Sequence, residues 1–137
     1  MELKDIWAAA AILIGFELAG FSWRMDREMK LREVRLRNPH GGYTWFPPAD
    51  YLNLFSLLVI VFGVFLLPMR GTLTAHAAGK ALVAGLVLFA GYPFAVLGHY
   101  GLLFTKGKRE LPGEYCTAAE GVVVAVTVVV AVVSVLF

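Results

Sequence analysis

The chain has 137 residues, 59% of them apolar and 16% charged, with a mean hydropathy of +0.73 and a formal net charge of +2. A soluble domain of this size has too little interior to hide so much apolar surface, which excludes an ordinary water-soluble fold. The single cysteine, Cys116, excludes an internal disulfide, and no nucleic-acid motif accompanies the small positive balance.

The first apolar run, Ile6 to Trp23, is 18 residues long. At ~1.5 Å per residue it reaches about 27 Å as a helix, close to the ~30 Å hydrocarbon core of a bilayer. Its one strongly polar side chain is Glu17. A secretory signal would begin with a basic head, whereas Glu2, Lys4 and Asp5 sum to a net acid, so the run reads as a retained span.

Six basic residues follow at once: Arg24, Arg27, Lys30, Arg32, Arg35 and Arg37. Cations flanking a span stay on the cytoplasmic side, which puts the amino terminus outside. Asp26 with Lys30, Glu28 with Arg32 and Glu33 with Arg37 each set an acid four residues before a base, so the helix is expected to run on into the cytoplasm. A short hairpin through Val34 to Phe46 is the alternative, because Asn38-Pro39-His40-Gly41-Gly42 is turn chemistry. The basic residues, with Tyr43, Trp45 and Phe46, form a cytoplasmic surface for anionic lipid heads or a protein partner. Each cation near such heads contributes about 1 kcal/mol.

Pro47-Pro48 suits the start of a helix, which makes Asp50 a cap or first-turn acid for the second run, Tyr51 to Met69. The third run, Ala81 to Phe104, holds His99 and is interrupted by Pro93. That proline is expected to free the Phe89 carbonyl and kink the helix, as in the broken helices of transport sites. The fourth run, Ala118 to Phe137, is rich in valine and contains Glu120. A lone strand cannot satisfy its backbone in lipid, so this run too is expected to be helical.

The expected fold is a single all-α membrane domain over residues 1–137, with four transmembrane helices at about 6–23, 51–69, 81–104 and 118–137. It is an up-down bundle, N-out and C-out, with cytoplasmic loops 24–50 and 105–117, multi-pass in the cytoplasmic (inner) membrane. Lys106, Lys108 and Arg109 bring the cytoplasmic cations to nine against three outside, Lys4, Arg70 and Lys80. The loops are short, so a soluble domain would come from another polypeptide.

This orientation puts Glu17, His99 and Glu120 in the cytoplasmic third of the bilayer. A charge buried there costs about 2.5–3.5 kcal/mol on insertion scales, so such residues pair or mark a pathway. Glu17 is read either as a proton or cation site or a polar anchor for substrate, or as a structural carboxylate, protonated or hydrogen-bonded to His99 or Tyr100. Glu120, three residues after Thr117, reads as part of a capping box. Ala11, Gly15 and Ala19 form a small-residue stripe for close helix packing, and Glu17 points away from it. Neither paired zinc spacing nor two histidines at haem depth occur, so no metal and no cofactor are expected.

Four spans, a cytoplasmic first loop and Asp50-Tyr51-Leu52-Asn53-Leu54-Phe55 at the start of the second helix resemble the membrane-associated eicosanoid and glutathione (MAPEG) enzymes. The resemblance implies glutathione-dependent chemistry. The family's Glu-Arg and Arg-Ala-x-x-Asn pattern is absent, and the second span has no arginine to hold a thiolate. Three functions therefore stand as expectations. The first is a non-catalytic accessory or scaffold subunit, a homo-oligomer or part of a larger membrane complex. The second is a small oligomeric proton or cation pathway using Glu17 and His99, and the third is a MAPEG-like enzyme.

Overall fold

The computed structural model describes residues 2–36, 47–105 and 117–137, with the backbone alone at 27, 28, 31, 32, 34–36 and 100–105. Among these residues every regular element is helical: α1 is Leu3–Leu36, α2 Pro48–Met69, α3 Ala75–Thr105 and α4 Ala118–Leu136. Each contains a stretch long and apolar enough to cross a membrane, Leu3–Asp26, Pro48–Met69, Ala75–His99 and Ala118–Leu136. The fold is thus all-α with four helices fit for a multi-pass membrane protein. α1 carries on to Leu36, so Val34 to Leu36 are helical; the rest of the hairpin alternative, and Arg37, Tyr43, Trp45 and Phe46, lie outside the described residues.

The buried residues of α1 follow a heptad: Ile6, Ala10, Leu13, Glu17 and Arg24, with half-buried Gly20 completing the row. Their alternating spacings of four and three keep one face toward a neighbouring helix. α3 repeats the pattern with Ala84, Leu88, Gly91, Ala95 and Gly98, and α4 with Glu120, Val124, Thr127, Ala131 and Ser134. Gly98 meets Glu120 and Gly91 meets Thr127, so seven residues on one helix match seven on the other. A Cβ at Gly98 would lie 3.1 Å from the Glu120 nitrogen, which shows how closely the two backbones approach. In lipid such closeness supplies the packing that apolar burial supplies in water.

Two apolar clusters fill the interior. Ile6, Ala10 and Leu13 of α1 pack with Ile60 and Val64 of α2 and Ala78 of α3. Ala49 and Leu52 pack with Ala84, Leu88 and Ala95 of α3 and Ala131 of α4.

The irregular helix is α2. Val61–Leu66 forms a π-helical segment, and the Leu67 N–H reaches back to Phe62 O. In an α-helix the Val64 carbonyl would accept from residue 68, which is Pro68 and has no N–H. The Trp7 indole of α1 donates to that carbonyl at 2.9 Å, while its ring stacks on Phe65 at 6.2 Å. Pro93, by contrast, sits exposed inside an unbroken α3. The helix is continuous through the ring, and the proline has no N–H for the Phe89 carbonyl four residues earlier.

Candidate intramembrane polar site

Three groups of buried polar side chains lie between the helices. At the first, Thr117 caps α4: its hydroxyl accepts from the Glu120 N–H at 3.1 Å and donates to Gly98 O at 3.1 Å. Glu120 is fully buried, and its carboxylate is not folded back on its own helix. It accepts from the Ala49 N–H at 2.9 Å and faces His99 Nδ1 at 2.8 Å. The α2 N-cap, Pro47, offers no side-chain cap, so the exposed donor of the first turn of α2 is satisfied by a carboxylate from α4. The capping box at Thr117 is therefore half formed: the hydroxyl caps, and Glu120 joins three helices instead.

At the second, Arg24 Nε donates to Asp50 Oδ2 at 3.0 Å, with both side chains 7% exposed. The Tyr92 hydroxyl approaches Asp50 Oδ1 at 3.5 Å. Arg24 thus departs from the expected lipid or partner surface. It occupies the α1 heptad position seven residues after Glu17, which turns it inward. Asp50 is in the first turn of α2 as expected, and its carboxylate serves Arg24.

At the third, Glu17 is 1% exposed and Ser56 fully buried. The Ser56 hydroxyl contacts Glu17 Oε1 and also Gly85 O, the latter at 2.7 Å. Asn53 Nδ2 donates to the Glu17 backbone carbonyl at 3.2 Å. Glu17 Oε2 and Asn53 Oδ1 are buried with no hydrogen-bond partner among the described residues. Beyond this group, away from Arg24, stands the apolar cluster of Ile6, Ala10, Leu13, Ile60 and Val64.

Comparison with protein families, curated proteins and solved structures finds no match. The reading therefore rests on the geometry.

Glu17, His99 and Glu120 do not converge. His99 and Glu120 pair with each other, whereas Glu17 goes to Ser56, with the Arg24 and Asp50 pair on the same α1 and α2 faces. No group of three His, Cys, Asp or Glu side chains arranged for a metal occurs among the described residues. Ala11, Gly15 and Ala19 are exposed, and a Cβ added at Gly15 meets nothing within 4 Å, so this stripe packs against none of the described residues. Arg27, Arg32, Arg35 and Tyr100 belong to helical backbone, and Lys30 pairs with Asp26 at 2.5 Å on the exposed side of α1. Sequence reasoning missed Arg24, Asp50, Asn53 and Ser56 as site residues. The available signal was the heptad spacing that puts Arg24 on the same face as Glu17.

Proposed function

We propose that the chain is a non-catalytic accessory or scaffold subunit of the cytoplasmic (inner) membrane, binding another copy of itself or another membrane subunit through helix faces. The observation that carries this reading is the outward Ala11, Gly15 and Ala19 stripe with open space above Gly15. Small residues four apart let a second helix come close, and in lipid that closeness is a main source of association free energy. The contacts of Trp7 with Val64, Arg24 with Asp50 and Gly98 with Glu120 support an up-down bundle. The nine-to-three division of Lys and Arg supports N-out and C-out. The polar groups inside then serve as connectors between helices.

The test is native-detergent sizing of wild type against Gly15→Leu and Ala19→Leu. Loss of the larger species with an unchanged melting temperature supports the reading, and an unchanged species overturns it. A second reading, a proton or cation pathway, is favoured by the unpartnered Glu17 Oε2. Ion flux in reconstituted vesicles, abolished by Glu17→Gln, selects it.

A further inference from the structure

We infer that Glu17 is a proton-binding site, reached from the Asn53 and Asp50 side of the bundle. The inference goes beyond the scaffold reading and holds whether or not the chain associates.

The first observation is a count of protons. The Ser56 hydroxyl has one proton and touches two acceptors, Glu17 Oε1 and Gly85 O. One hydroxyl proton makes one full hydrogen bond, and shared between two acceptors it makes two weakened ones. The Gly85 carbonyl has no proton to give, so Ser56 donates to it, and the contact with Glu17 is a full hydrogen bond only when Glu17 supplies the proton. The order is Glu17 O–H to Ser56 Oγ, then Ser56 O–H to Gly85 O. A carboxylate at Glu17 would leave the two contacts sharing one proton, each weaker than a full hydrogen bond.

The second observation is independent of that count. Glu17 Oε2 is buried with no hydrogen-bond partner among the described residues, on a residue 1% exposed. A buried carboxylate oxygen without a hydrogen-bond donor is far more costly than the carbonyl oxygen of a neutral acid. No cation is within ion-pair distance of Glu17 among the described residues: Arg24 of α1 is turned to Asp50 of α2, where Tyr92 of α3 also points, and His99 of α3 faces Glu120 of α4. A proton is the one cation that needs no added volume in this packed setting.

Access follows from what lies on either side. Toward one end, Ile6, Ala10, Leu13, Ile60 and Val64 close the bundle with apolar atoms. Toward the other, Asn53 presents a second unpartnered oxygen, and Asp50 with Arg24 lies one turn further along α2. The proton comes from water at that end, adds to the Glu17 carboxylate and leaves by the same path.

Infrared spectroscopy of the full chain in lipid at neutral pH tests both parts. Wild type and Glu120→Gln are expected to show the C=O stretch of a neutral carboxylic acid, and Glu17→Gln to lose it while sizing normally. Ser56→Ala, which removes the acceptor, is expected to shift the band. A wild type without the band, or a band surviving Glu17→Gln, overturns the site. In D2O the wild-type band is expected to shift by exchange, and Asn53→Leu to lose that exchange on the same timescale. Equal exchange in both overturns the access route while leaving the site standing.

Discussion

Arg24 of α1 and Asp50 of α2 meet at 3.0 Å in the interior, each side chain 7% exposed. The pair forms the middle of a buried polar file running from Glu120 and His99 to Glu17 and Ser56. Desolvating two charges is costly, and their attraction repays it only while both are present. Arg24→Ala and Asp50→Ala are each expected to lose about 3–5 kcal/mol. Arg24→Met with Asp50→Leu is expected to recover most of that loss. Thermal unfolding of wild type and the three variants in detergent measures it, and a double variant as weak as the singles would contradict a paired role for these side chains.

Glycine roles separate inside from outside. A Cβ at Gly98 would sit 3.1 Å from Glu120 N and 3.3 Å from Ala119 C, both backbone atoms that cannot swing aside. Gly98→Ala is therefore expected to force α3 from α4 at a cost of about 1–3 kcal/mol. Gly15→Ala, facing open space, is expected to leave the melting temperature of the isolated chain unchanged. A scan giving equal losses at the two positions would show that α1 is packed differently from the description above.

Glu120 joins α4 to the α2 N-terminus and to His99, so its replacement is expected to be felt on three helices. Glu120→Ala strands the buried Ala49 N–H, at an expected cost of about 1–3 kcal/mol. Glu120→Gln keeps a carbonyl oxygen for that donor and is expected to lose less than half as much. Amide exchange at Ala49 is the direct readout: fast in Glu120→Ala and protected in Glu120→Gln.

The helical class and the four apolar stretches were legible in the sequence because bilayer length and backbone satisfaction leave few options for runs of 18 or more apolar residues. Which face of each helix turned inward was harder to read. α1 carries two candidate packing rows, the small residues Ala11–Gly15–Ala19 and the mixed row Ala10–Leu13–Glu17–Gly20, and the first is the more familiar packing signature. The second row is the buried one, and its polar members mark it: Glu17 and Arg24 share a face, and charge in lipid turns toward protein. Pairing was not legible at all. Depth alone grouped Glu17 with His99 and Glu120, yet helix neighbours decide contact, and Glu17 meets Ser56 of α2 while Glu120 meets the Ala49 N–H of α2 and His99 of α3. The π segment was likewise hidden, since it coincides with Pro68 and with a donor 57 residues away from the carbonyl it serves.

That long-range donor makes the last expectation specific. Trp7 Nε1–H serves the Val64 carbonyl at 2.9 Å, the acceptor that Pro68 deprives of its α-helical partner. Trp7→Phe keeps an aromatic ring against Phe65 but removes the donor, and is expected to lose about 1 kcal/mol through the stranded carbonyl. Pro68→Ala restores an N–H four residues after Val64 and is expected to let Val61–Leu66 rewind as α-helix. In that background the indole donor has no remaining duty, so Trp7→Phe is expected to cost little. The coupling between the two changes, read from a double-mutant cycle by thermal unfolding, is then most of the single-variant effect. If Trp7→Phe costs the same with alanine at 68 as with proline, the indole acts by packing alone, and the π segment needs a cause other than the missing N–H.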